Sequence, residues 1–145
     1  MTVEGVTLRP YAPEDAEACA AIFARAWTAG HPDEPRVPDR AAFARAMEGR
    51  AVLVAADLGG RVLGFAGLHE AAVFVHHLYV DPDAAGRGIG RALLAEAVRR
   101  LGGRASLKCR LSNARALAFY AREGWRRGEE GETDGRPWVR LHSPD

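Results

Sequence analysis

An α/β fold with a mixed sheet is what this sequence predicts, on three observations. Up to residue 80, short apolar runs rich in β-branched residues alternate with turn residues, the pattern of an antiparallel meander. A glycine-rich loop then opens a helical pattern that leads into another strand, which is a βαβ step. No repeat, low-complexity tract or linker interrupts the chain, so residues 1–145 are expected to form a single domain.

Residues 6–11 read as a short strand. Pro13, Glu14 and Asp15 open a helix, since proline suits the first turn and acids suit its positive end. Cys19, Ile22, Phe23, Ala26 and Trp27 follow at helical spacing on one face. Prolines and a glycine mark 28–39 as a loop, and a short helix is expected over 41–47. Strands at 51–56 and 61–68 are joined by a turn over 57–60, with Gly59-Gly60 as its hairpin signal. The next strand is expected over 72–80 and a loop over 81–90. A helix then runs to about residue 101 with Ile89, Leu93, Leu94, Ala97, Val98 and Leu101 facing inward. A strand at 105–109 precedes a helix over 113–123, stopped by Gly124. The last strands are expected at 125–127 and 137–142, joined by a polar loop over 128–136.

Composition narrows the function classes. Hydrophobic residues make up 48% of the 145-residue chain and charged residues 27%, which is globular. Lys and Arg number 20 against 19 Asp and Glu, a net charge of +1 that gives no electrostatic case for nucleic acid. No apolar run reaches the roughly 20 residues that span a bilayer, so no membrane partner is expected. The start of the chain lacks the basic and apolar pattern of a signal peptide. Cys19 and Cys109 form no metal-binding spacing, so no metal is expected and both read as buried free thiols. A reduced, cytoplasmic enzyme fits these features.

The informative stretch is Ala85-Gly86-Arg87-Gly88-Ile89-Gly90, between a strand and a helix. Free N–H groups at a helix start, with the helix dipole, attract an anion, and glycines let a phosphate approach the backbone. A pyrophosphate-bearing ligand is therefore expected, although an ordinary strand-to-helix turn also carries two glycines. A Walker loop would continue with Lys and Ser or Thr, whereas Gly90 is followed by Arg91-Ala92. A dinucleotide fold would carry its glycines after the first strand, with an acid about 20 residues on. Here they come after several strands, and the region of Lys108 to Arg110 is basic.

His77-Leu78-Tyr79-Val80-Asp81-Pro82, followed by Gly86-Arg87-Gly88-Ile89-Gly90-Arg91-Ala92-Leu93-Leu94, resembles the coenzyme A loop of the Gcn5-related N-acetyltransferase (GNAT) family. A second segment agrees. Ser112-Asn113-Ala114-Arg115-Ala116-Leu117-Ala118-Phe119-Tyr120-Ala121-Arg122-Glu123-Gly124-Trp125 is similar to the family's N-x-x-A-x-x-x-Y-x-x-x-G-F pattern. The resemblance is strong over 64–125 and weaker over 6–27. It implies a mixed, mostly antiparallel sheet of six or seven strands flanked by about four helices, with acetyl-coenzyme A in a cleft where two central strands splay. It also implies acetyl transfer to a primary amine by direct attack.

By the same resemblance the main chain of Gly86, Arg87, Gly88, Ile89 and Gly90 holds the pyrophosphate, with Arg91 beside it. The family usually begins this loop with Gln or Arg, where this chain has Ala85, so one side-chain contact is missing. Backbone groups around Tyr79 and Val80 would steady the acyl oxygen, and Leu78 joins them in binding the cofactor. Asn113 would touch the pantetheine arm, and it also reads as an ordinary helix N-cap. Tyr120 would protonate the leaving thiolate, and it also reads as a core tyrosine. An alkylammonium has a pKa near 10, so a base must take its proton. His76 is the first choice, on a strand where a bulge is implied; a solvent-facing histidine is the plain alternative. His69 and Glu70, expected to end the preceding strand, are the second choice, and His77 adjoins His76. The loops at 28–39 and 128–136 would wall the acceptor. Asp33 and Glu34 would attract a cationic amine or simply make an exposed acidic loop. Trp27 and Phe23 line that pocket or pack the core. The acceptor is a small-molecule amine or a peptide amine, and a homodimer is compatible with the sequence. A coenzyme A sensor without turnover, a longer acyl donor, and an acceptor at a protein N-terminus or lysine stay open.

Overall fold

A computed structural model describes residues 3–31 and 36–144. Strands β1 (Val6–Pro10), β2 (Ala51–Asp57), β3 (Val62–His69) and β4 (Phe74–Val80) pair antiparallel in sequence order. Strand β5 (Ser106–Arg110) joins β4 in parallel, the outcome of the βαβ step. Strands β6 (Arg126–Thr133) and β7 (Arg136–His142) form a hairpin in which β7 pairs with β5 and β6 is the outer edge. The 7-stranded sheet runs β1-β2-β3-β4-β5-β7-β6, mixed and mostly antiparallel. Among the described residues the α-helices are α1 (Ala16–Gly30), α2 (Arg40–Met47), α3 (Ile89–Arg100) and α4 (Ala114–Arg122).

The helices cover the two faces of the sheet. Ile89, Leu93, Leu94 and Ala97 of α3 and Tyr120 of α4 pack on Leu53, Leu63, Leu68, Val75, Leu107, Cys109, Val139 and Leu141. Cys19, Ile22 and Phe23 of α1 and Phe43 of α2 pack on Val54, Val62 and Phe65 of the opposite face. Covered on both sides, β3 is almost wholly buried, which is why its sequence is a run of apolar and small residues. Both cysteines are free and buried, and burial pushes the Cys19 thiol up to about 12 and the Cys109 thiol up to about 11.

Two buried carboxylates pin the frame. Asp15 accepts from both terminal nitrogens of Arg9 (2.7 and 2.9 Å) and from the Ala12 N–H, tying β1 to the start of α1. Asp81 lies 2.9 Å from Arg25 of α1 and 3.2 Å from Arg61, and accepts from the Asp83 N–H. Asp81 follows β4 directly, so these contacts anchor the strand's exit and the glycine loop to α1. Burial alone would raise the Asp81 carboxyl, but its hydrogen bonds and two guanidiniums hold it below the usual carboxylate range.

Three elements depart from the sequence reading. Helix α1 continues through Thr28 and Ala29 to Gly30, where 28–39 was expected to be loop. Strand β4 begins at Phe74 rather than residue 72, because Val73 takes a left-handed φ of 53° in the turn before it. The stretch over 128–136 is not a polar loop but most of a hairpin. Asp134 (φ 52°) and Gly135 (φ 75°) make its turn, with Thr133 opposite Arg136. Two adjacent positive-φ residues of this type are the favoured two-residue hairpin connection. A Cβ at Gly131 would lie 2.3 Å from the Trp138 ring, so a side chain there would displace the indole packed across β6.

Candidate active site

The glycine loop leads from the turn after β4 into α3. Gly86 (φ 81°) and Gly88 (φ 80°) take left-handed conformations that let the chain turn from the Asp81 anchor into α3. Gly88 is the N-cap residue of α3 and has no side chain to satisfy the first turn. The N–H groups of Ile89, Gly90 and Arg91 therefore stand at an uncapped, positive helix end. Arg91 is partly committed, with its Nε 3.1 Å from Glu123 at the end of α4. Arg87 is exposed in the loop. Gly90 lies under the Phe119 ring, 3.6 Å from where its Cβ would be, so α4 closes over the start of α3.

The neighbouring strand is open on one side. The β4–β5 ladder is the pair Phe74–Ser106. Leu78, Tyr79 and Val80 pair with Ala66, Phe65 and Gly64 of β3. Among the described residues, their β5-facing main-chain groups have no ladder partner. A bulge interrupts β4 as well, because Gly67 pairs with His77 while Leu68 pairs with Val75, leaving His76 as the extra residue. Val75 thus points to the α3 core, and His77 packs edge-on against Phe23 of α1 on the other face.

The two histidines have different surroundings. Arg50 Nη2 lies 3.3 Å from His76 Nε2, and a guanidinium can only donate, so this ring nitrogen is the acceptor. The His76 pKa is lowered, first by burial and then by Arg50, His69 and Lys108. Burial, with His76 and Arg50, takes His77 down to about 4, although a backbone hydrogen bond with Ala46 opposes the shift. The folded pKa of His77 therefore lies below its unfolded value of about 6.5, and the unfolded chain binds the proton first as pH falls. Unfolding free energy should drop by on the order of 2 kcal/mol between pH 7 and pH 5, with His76 adding in the same direction. Urea unfolding at the two pH values checks this, and His77→Leu should remove most of the difference. Equal midpoints in the native chain would contradict a buried neutral imidazole.

Tyr120 is 9% exposed and packs its ring against Phe119 and Trp125. Burial, then the neighbouring Cys109 and Tyr79, raises the phenol's pKa, so it stays protonated at any working pH. Asn113 is the N-cap of α4, its Oδ1 accepting from the Ala116 N–H at 3.1 Å. Its Nδ2 faces the end of α1, 2.7 Å from where a Gly30 Cβ would be. Glu70 is exposed in the turn between β3 and β4, and His69 ends β3 at 6.1 Å, ring to ring, from His76. Trp27 stacks on His31 at the end of α1. Asp33 and Glu34 lie outside the described residues.

Arg50 and Arg110 border the candidate site, and sequence reasoning did not single them out. Arg50 reaches His76 from 26 residues away, a separation with no local signal. Arg110 stands just before the Ser112-Asn113 motif, in a stretch that the sequence marked only as basic. A concavity of about 540 Å³ lined by Tyr11, Phe43, Met47, Arg50 and Val52 contains none of the glycine-loop residues, nor Tyr79 or Tyr120. It touches the site only through Arg50. No group of three or more His, Cys, Asp or Glu among the described residues is placed to hold a metal ion.

Comparison with known proteins gives the same picture. The model of the Acetyltransferase (GNAT) family matches residues 16–125. A mycothiol acetyltransferase of Clavibacter sepedonicus is 38% identical over 135 residues, covering 84% of this chain and 43% of that protein. The chain thus spans less than half the length of that relative. N-alpha-acetyltransferase RimI of Mycobacterium tuberculosis is 36% identical over 132 residues, covering 86% of this chain and 80% of that protein. A crystal structure of a GCN5-related N-acetyltransferase from Rhodopseudomonas palustris superposes with a TM-score of 0.76 at 26% identity, covering 99% of this chain and 98% of the other.

Proposed function

Because the chain belongs to the Acetyltransferase (GNAT) family, we propose that it transfers the acetyl group of acetyl-coenzyme A to a primary amine by direct attack. One observation carries the reading furthest. The uncapped N-terminus of α3, behind two left-handed glycines, lies beside a β4 whose main chain is unpaired towards β5. The first offers N–H groups to a pyrophosphate, and the second offers main-chain partners to an extended amide-bearing arm. The donor set therefore fits acetyl-coenzyme A, which supplies the activated acyl group.

The amides at Arg87, Gly88 and Gly90 hold the pyrophosphate, with Gly86 and Ile89 shaping the turn. Ala85 adds no side-chain contact. Main-chain groups of Leu78, Tyr79 and Val80 align the arm and steady the negative charge that develops on the acyl oxygen. Tyr120 gives its proton to the departing thiolate. Asn113 caps α4 with its oxygen and keeps its amide nitrogen for the pantetheine. The chain acts as one cytoplasmic domain, and no helix among its described residues is long and apolar enough to cross a membrane.

His76 takes the proton of the amine. Its depressed pKa keeps it neutral near pH 7, but Arg50 must yield the Nε2 lone pair first. His77, at about 4, is too weak a base, and Glu70 sits in the turn before β4. The test is thiol release from acetyl-coenzyme A with a panel of primary amines, run from pH 6.5 to 9.5 on the native chain and on His76→Ala. Turnover of the variant should fall by about 10²-fold near neutrality, the lower range for a positioned base. The deficit should shrink at high pH, where free amine is abundant. An unchanged profile moves the role to Glu70 or bulk water. Coenzyme A binding without thiol release would instead identify a sensor. The RimI relative favours a protein N-terminus as the second acceptor class, and a peptide in the panel addresses it.

A further inference from the structure

The cluster beneath α1 and α2 draws on β2, β3 and β4, and takes nothing from β5, β6 or β7. On β5, Leu107 and Cys109 point into the α3 core, so Ser106, Lys108 and Arg110 point to the opposite face. On β7, Val139 and Leu141 point into the core, which puts Trp138 and Arg140 beside them. Among the described residues this part of the face carries no helix cluster. It flanks the opening where β4 and β5 cease to pair.

The charges on this floor are unbalanced. Arg140 is neutralised by an ion pair with Glu129, donates to Ser106 Oγ at 3.2 Å, and lies over the Phe74 ring. Glu130 and Glu132 sit opposite Val139 and Pro137, on the other face of β7. Lys108 Nζ lies 4.3 Å over the Trp138 ring, and neither Lys108 nor Arg110 has an ion pair among the described residues. Arg110 Nη1 is buried with no hydrogen-bond partner, an arrangement that is costly until an acceptor arrives. The Arg110 charge is also felt at the Tyr79 phenol of β4, where it opposes the rise due to burial.

Resting on the acetyl-transfer reading, we infer that the acceptor carries a carboxylate close to its reacting amine, and that Arg110, seconded by Lys108, holds it. A carboxylate fills the vacant N–H of the guanidinium with a charge-assisted hydrogen bond and matches its planar fork. Free amino acids and related amino carboxylates satisfy this chemistry. A polycation does not.

The experiment compares free L-amino acids, their carboxamides and the matching aminophosphonates by kcat/KM at saturating acetyl-coenzyme A. The carboxamide also stands in for a peptide N-terminus. Its ammonium is the more acidic, so amine availability alone favours it over the free acid. The native chain should nevertheless prefer the acid by about 10-fold or more, the scale of one hydrogen bond to a charged group. Arg110→Met should collapse that ratio towards unity through the acceptor's KM, and Arg110→Lys should restore part of it. Equal use of acid and amide by the native chain overturns the inference while leaving acetyl transfer in place. So does a preference for the phosphonate, or a ratio that survives Arg110→Met. An effect of Arg110→Met confined to the KM of acetyl-coenzyme A reassigns the arginine to the donor and overturns it too. Failure to acetylate any amine removes the activity reading itself, and the inference with it. The comparison on the native chain needs no variant to fold.

Discussion

Gly88→Asp should abolish measurable coenzyme A binding, a loss of about 100-fold or more if two charge-assisted hydrogen bonds of about 1.5–3 kcal/mol each are forfeited. Two effects combine at this residue. A side chain at φ 80° carries left-handed strain, on the order of 1–2 kcal/mol for most residues and less for Asp or Asn. The new carboxylate would also stand at the positive end of α3, where the pyrophosphate is expected. Gly88→Asn separates the two, since it matches Asp in shape and tolerance of this conformation but carries no charge. Both variants should lose similar thermal stability. In calorimetry Asn should retain part of the affinity and Asp none. Native affinity in Gly88→Asp would move the pyrophosphate to another part of the chain.

Tyr120→Phe should lower turnover by roughly 10²-fold with little change in coenzyme A affinity, the usual worth of a positioned acid. Burial, Cys109 and Tyr79 raise the phenol's pKa, so the hydroxyl is fully protonated across the assay range. The loss should therefore not depend on titration of Tyr120. A coenzyme A thiolate resembles a cysteine thiolate, with a pKa near 8.5, and departs tolerably unprotonated, which limits the effect. Full turnover when chemistry is rate-limiting would leave Tyr120 as a packing residue between Phe119 and Trp125. A large drop in melting temperature would instead reveal a buried hydrogen bond, and the kinetic loss would then not measure acid catalysis.

The local geometry of the candidate site was legible in the sequence where it depends on residue type. Gly86 and Gly88 were readable because the turn into α3 needs positive φ, and Asn113 because a helix start needs a cap. The meander and the βαβ step followed from apolar periodicity. Strand β6 was not readable, because an edge strand exposed along nearly all its length shows no alternation. Its one local sign was Asp134-Gly135. Two features depend on residues distant in sequence and leave no local pattern. One is the contact of Arg50 with His76, which decides whether that imidazole has a free lone pair. The other is the buried nitrogen of Arg110, which only the packing around β5 creates.

Strand β6 also bears on how copies of the chain meet. It is an outer edge of the sheet, and its main chain is a template for another strand. Glu129, Glu130 and Glu132 crowd that edge, with Asp134 at the turn. Two such edges paired antiparallel over their full length would set Glu129 against Glu130, and like charges directly opposite are destabilising, while Arg127 would face Glu132. That acidic centre thus works against a continuous ribbon of chains joined edge to edge in this register.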